Sequence, residues 1–397
     1  MRVSPSARRL GRAAVAGTWV DSLAPAFTLI SASAVGAYLR VAGAAVVLLL
    51  VAWLLAGPRL LKPNGPSAST ILVLCLALMI GTGGVVGLFR GNSLGYLTGD
   101  AARLGITLSA VWLARRVSEP TARHIVQRIW WALCVAEIVR LAVFTVQLLG
   151  GSFVRLGGGS AMALGMALAY RPIGPGIDPR LDRFGRVAIV VNALTSLVRS
   201  LWVVSLVMAG LMGVLALRRR YPGGIRRIVL GAGTVVVVLV VLTLAGANIG
   251  SRVAERVALS FGTSVDSSVE SRDLEEESAM GTLDNLGLRR FGAGLGAQFP
   301  TPHGLEHQIH RTAVSLEFRH GSLGLAAWWW IIGCAVLAAS RIILGRVSNN
   351  LDTVLLISCV GSVLSALSFY ALIGNFPASF ALGWAAAGRA TAPSTSR

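Results

Sequence analysis

Long apolar runs recur along almost the whole chain, and this feature limits what it can fold into. A helix needs about 20 residues to cross the roughly 30 Å hydrocarbon core of a bilayer. Apolar segments fall near residues 19–39, 41–57, 68–89, 94–114, 125–149, 159–170, 186–198, 200–217, 228–248, 321–340, 353–373 and 377–388. Three of them (159–170, 186–198, 377–388) are short, so ten to twelve crossings are expected. Apolar residues make up 54% of the chain and charged residues 13%, against roughly 25% charge in soluble domains. The expected fold is all-α: a polytopic integral membrane protein with about 12 transmembrane helices and one long external loop. The same composition excludes a disordered, collagenous or disulfide-stapled chain. Arg8, Arg9 and Arg12 before Ala13–Val20 faintly resemble a signal peptide. Asp21 interrupts that apolar run, which predicts an uncleaved first helix.

Charge sets the expected orientation. With both termini cytoplasmic, 22 cations fall in cytoplasmic segments and four (Arg40, Arg90, Arg155, Arg199) in short external loops, a strong positive-inside bias. The net charge of +19 is spread between apolar segments rather than gathered on one soluble face, so nucleic acid is not an expected partner, whereas membrane lipid is. The expected organisation is N-terminal transmembrane helices over 1–248, an extracytoplasmic loop over 249–320, C-terminal transmembrane helices over 321–388 and a disordered tail over 389–397.

The 249–320 loop holds 10 of the 17 acidic residues and four of the five histidines, His303, His307, His310 and His320. Titratable groups gathered outside the membrane mark a candidate site. Cys75, Cys134, Cys334 and Cys359 all lie in apolar segments, so no disulfide is expected to frame the loop. Within it, Phe291-Gly-Ala-Gly-Leu-Gly-Ala-Gln-Phe299 reads either as backbone exposing N–H groups to an anion or as a tight turn under a neighbouring helix. Helical spacing puts His310, Val314 and Glu317 near one face, where imidazole and carboxylate suit general-base chemistry. His303, His307 and His310 also have a spacing that zinc tolerates, but Pro300 and Pro302 oppose a regular helix there, so neither a metal nor a cofactor is expected. Arg155, Arg199 and Arg272 sit near the outer membrane face. Their partners are lipid headgroups, the acidic run Glu275–Glu277, or a diphosphate held by the bidentate guanidinium fork. Asp100/Arg103 and Glu137/Arg140 read as ion pairs inside the membrane.

In this order the segments resemble the O-antigen ligase and Wzy-type polymerase family of polytopic membrane glycosyltransferases. Thr195-Ser-Leu-Val-Arg199 is similar to the family's "TxSR" break, and Ser271-Arg272 to the "SR" that starts its long external loop. Leu288–Phe299 resembles a "PxxGxGxGxF" run without the proline, and His310–Gly324 resembles "HNxxLxxLxExGxxG", with Arg311 in place of the asparagine. The resemblance covers residues 150–390. It implies a glycan on a polyprenyl diphosphate, presented at the outer face of the cytoplasmic membrane and joined, without metal, to a glycan or lipid acceptor in cell-surface polysaccharide synthesis. In that chemistry His310 is the base, Arg199, Arg272 and Arg155 hold the diphosphate, and Glu317, Gly294 and Gly296 support the site. A twelve-span secondary transporter or lipid-linked glycan flippase fits the span count as well, although the sequence lacks paired half-repeats with broken helices.

Overall fold

The computed structural model describes residues 68–149, 161–170, 173, 178–195, 199–218, 267–302, 304–347, 349–368 and 372–388, with residues 8, 10–12, 14, 15 and 18 near the N-terminus. The segments expected at 19–39, 41–57 and 228–248, and the tail over 389–397, lie outside the described residues.

The described chain is mostly helical. In order, the helices are α1 (Ala68–Phe89), α2 (Leu94–Arg116), α3 (Glu119–Leu149), α4 (Ala161–Tyr170), α5 (Pro179–Thr195), α6 (Arg199–Arg218), α7 (Ser267–Asn285), α8 (Thr312–Ile343), α9 (Asn350–Ser368) and α10 (Phe376–Ala386). Among the described residues one antiparallel ribbon, β1 (Phe299–Thr301) on β2 (Gly304–Glu306), lies between α7 and α8. Apolar helices persist here because aliphatic side chains leave the backbone no polar competitor to its own ladder. Their ends carry recognisable stops. Gly91, at φ 68°, turns the chain after α1, and its N–H donates to the Leu88 carbonyl, as glycine does past a helix end. Arg115 and Arg116 close α2, where cations suit the dipole. Asn375 caps α10 by accepting from the Ala378 N–H at 2.9 Å, with proline in the first turn.

Three described helices are long and apolar enough to cross a membrane: α1, α8 and residues Asn350–Leu367 of α9. They differ in what covers them. Only 28% of the apolar stretch of α1 is buried, against 83% of that of α9. Ile71, Leu74, Leu78, Val85 and Leu88 are left exposed at helical spacing. An apolar stripe of that extent on a monomer needs another apolar phase against it, and lipid supplies one. Helix α9 is the bundle centre, packed on α4, α6, α8 and α10. There Gly361 lets the Met208 thioether and Ala163 approach its backbone.

Contacts fix helix directions. Gly374 lies against Arg103, and Gly383 against Val111 and Ala114, so α10 runs parallel to α2. Gly83 meets the His320 ring, while Trp330 donates its indole N–H to the Ala68 carbonyl at 3.0 Å, so α8 runs antiparallel to α1. Residues 90–93 and 287–311 therefore share one end of the bundle. Arg115 and Arg116 share the other with Arg341, whose guanidinium reaches Asp352 at 3.1 Å.

Helix α8 departs from the sequence reading, and the glycine-rich segment takes the second of its two readings. Helix α8 begins at Thr312, nine residues before the expected span, and is broken at Gly321 (φ 57°, ψ −138°). A short helix over 312–320 thus precedes the apolar helix and folds back on it, Gly324 lying against Leu316. The glycine-rich segment is an arm laid across the end of α1. A Cβ on Gly294 would stand 2.5 Å from the Gly87 nitrogen, and Gly292, Gly294 and Gly296 all have positive φ, a backbone that glycine adopts without strain.

Candidate active site

Helix α7 carries an acidic run, Asp273 and Glu275–Glu277, ahead of Ala279 and Leu283, which bury the helix against the segment before α8. The segment before α8 brings His310 and Arg311 against that run. Glu275 accepts from His310 Nδ1 at 2.8 Å through one oxygen and 3.0 Å through the other, and also from the His310 backbone N–H at 3.3 Å. Arg311 pairs with Asp273 at 2.6 Å and with Glu276. The His310 side chain keeps 43% of its exposure while that of Glu275 keeps 10%. The carboxylate is therefore sheltered and the imidazole faces solvent. A carboxylate at Nδ1 accepts the ring proton there, and in that tautomer of the neutral ring the lone pair is on Nε2. This is the arrangement of a general base whose orientation a carboxylate fixes.

That pairing changes the role expected for Glu317. His310 lies two residues before α8 begins, so the two do not share a helix face. Glu317 lies 3.6 Å from Arg289 instead. Arg289 also bonds Asp284 at 2.6 and 3.0 Å, and those bonds hold the Asp284 carboxyl below the usual carboxylate range. Arg272 stands one turn before Glu275 on the same face of α7. Arg199 opens α6, and its side chain lies outside the described residues, as do Arg155 and His303 altogether.

The glycine arm is a packed turn and not an open anion cradle. The N–H groups of Ala293 and Gly294 donate to the carbonyls of Phe318 and Arg319, and that of Leu295 to Gly83 at 2.8 Å. Asn92 holds the arm from the other side, donating to the carbonyls of Ala293 and Leu295 at 3.0 and 2.9 Å. The Gly296 N–H does meet an anion, but it is the carboxylate of Asp100, at 3.0 Å. Gly294 and Gly296 let the arm pack closely on α1 and α2. Their amides are already engaged.

Asp100 shows what the sequence reading missed. Among its contacts is Arg319, 219 positions along the chain, whose Nε donates to Oδ2 at 2.7 Å. His307 Nε2 lies 3.2 Å from the other oxygen, and its Nδ1 lies 3.0 Å from the Ala297 carbonyl. Tyr96 stacks on the His307 ring at 4.3 Å between centroids. His307 and His310 thus have separate carboxylate partners. Among the described residues no three His, Cys, Asp or Glu side chains gather as a metal site. The Glu137–Arg140 pair is present at 2.9 Å, buried on both sides.

No protein-family model matches the chain, and no curated protein matches it.

Proposed function

We propose that the chain is a membrane glycosyltransferase of O-antigen ligase or polymerase type. It crosses the cytoplasmic membrane about twelve times with both termini inside. It transfers a glycan from a polyprenyl diphosphate to a glycan or lipid acceptor on the outer face. The observation that carries this reading is the His310–Glu275 dyad, half open to solvent, with Arg272 one turn away. His310 Nε2 takes the proton of the acceptor hydroxyl as its oxygen attacks the anomeric carbon. The bond to the diphosphate breaks, and its electron pair leaves on the phosphate oxygen. Guanidinium groups, from Arg272 and Arg199 in this reading, stabilise that developing charge. Apolar flanks such as the exposed stripe of α1 suit a polyprenyl tail.

The test is a radiolabelled lipid-linked glycan offered to the purified protein. Labelled product on the acceptor supports transfer, and movement of intact donor across a vesicle without new product favours a transporter. Arg272→Lys and Arg199→Lys should each cost about 2–3 kcal/mol of transition-state stabilisation, roughly 30- to 150-fold in rate, because lysine lacks the bidentate fork. Wild-type rates in both variants would make them ordinary interface arginines.

Orientation is checked in intact cells. A cysteine placed at the exposed Leu286 should react with a membrane-impermeant thiol reagent, and one beside Arg219 should not. The reverse pattern would sink the reading, since the substrate is presented outside.

A further inference from the structure

The ion pair between Asp100 and Arg319 is buried on both sides, each side chain keeping 3% exposure or less. Burying two charges is costly unless their remaining donors and acceptors are used, and here they are used in a particular way. The guanidinium of Arg319 gives Nε to Asp100, Nη1 to the Ser315 hydroxyl, and Nη2 to the His307 carbonyl at 2.7 Å. Asp100 accepts in addition from the Gly296 amide and faces His307 Nε2. One point on α2 therefore clamps three separate pieces of the extracytoplasmic segment: the glycine arm at Gly296, the turn at His307, and the short helix carrying Ser315 and Arg319.

His310 lies between two of the clamped pieces, three residues after His307 and two before Thr312, where the short helix begins. Its partner Glu275 belongs to α7, whose acidic side chains take His310 and Arg311 while its Ala279 and Leu283 pack in one apolar cluster with Ile309, Val314 and Phe318. The apolar cluster seats α7 beside the turn, and the clamp fixes the turn itself at the His307 carbonyl, three residues before the imidazole. We infer that Asp100 and Arg319 are positioning residues for the His310–Glu275 dyad. They act through the His307 carbonyl and the Gly296 amide, and touch no reacting atom. The inference rests on the reading of the dyad as the base, and its first readout does not depend on transfer.

That readout is the ¹⁵N spectrum of histidine-labelled full-length protein in phospholipid nanodiscs, with His310 assigned by its loss in His310→Gln. In the wild type His310 should show a single Nδ1–H tautomer. In Asp100→Asn and Arg319→Gln it should become a mixture of tautomers, as in free imidazole. Arg319→Lys keeps the charge but loses the fork, so it should give an intermediate spectrum, and it serves if Arg319→Gln does not insert. In the transfer assay kcat should fall about 100-fold in Asp100→Asn, the scale expected for a catalytic group misplaced by about 1 Å. KM for the lipid-linked donor should stay within about threefold. An unchanged His310 tautomer in Asp100→Asn and in the Arg319 variants would overturn the inference. So would a disordered tautomer with an unchanged kcat. Full activity in His310→Ala would instead remove the base assignment, and the tautomer spectrum would still decide whether the clamp positions the ring.

Discussion

His310→Ala should lose about 10²- to 10⁴-fold in transfer rate, the usual contribution of a positioned general base. Binding of the lipid-linked donor should survive, because the diphosphate is assigned to arginines and not to the imidazole. Glu275→Gln should lose activity in the same direction and by less. The amide can still touch Nδ1, but it no longer neutralises the imidazolium formed when the acceptor gives up its proton. His307→Ala provides the contrast. That ring lies against Asp100 and Ala297, so its loss should disturb the arm without removing a base. Full activity of His310→Ala in a reconstituted assay would end the catalytic reading of this site.

The second large effect is expected within the helix bundle. Glu137 and Arg140 form a pair at 2.9 Å with side-chain exposures of 1% and 6%, and Asn192 of α5 donates to the other carboxylate oxygen at 2.8 Å. Removing one member of a buried pair leaves a charge without its counter-charge, at about 3–5 kcal/mol. Glu137→Ala should therefore lower the unfolding midpoint in detergent sharply. The double variant Glu137→Leu with Arg140→Leu should recover much of that loss, because an apolar pair costs nothing to desolvate. A single-variant effect below about 1 kcal/mol would mean that water reaches the pair. The same cycle separates a tie between α3 and α5 from a substrate site, since a tie should leave donor KM unchanged.

The helices were largely legible because apolar runs have a length and a period. The segments read at 68–89, 94–114 and 321–340 fall within α1, α2 and α8, and the Glu137–Arg140 pair follows from its i, i+3 spacing. What the sequence could not place were contacts that skip across the chain. His310 reads most simply with Glu317, seven positions on, yet its partner is Glu275, 35 positions back. The acidic run opposite a His-Arg pair was a visible hint of complementary charge, but nothing in the spacing says which segments meet. Asp100 reads with Arg103, the nearest cation, yet it engages Arg319. The glycine arm was open to two readings, and only the destinations of its amides decide between them. Propensity and period are local quantities, whereas the site is assembled from segments whose meeting depends on the whole bundle.

The span between Asp100 and Arg319 also has a meaning in time. Chain synthesis proceeds at about 5–20 residues per second, so the 219 residues that separate them take roughly 10–45 s to make. Throughout that interval Asp100 is in the nascent protein and its guanidinium does not yet exist. The carboxylate lies seven residues into α2, about 9 Å from the helix start at 1.5 Å per residue, close enough to the helix end for water to serve as its first partner. The arm, the turn and the short helix can therefore dock only after synthesis of α8 has begun, which makes closure of this end a late event in biogenesis. A ribosome stalled before Arg319 should leave a chain whose early helices are inserted and whose Asp100 end is still open.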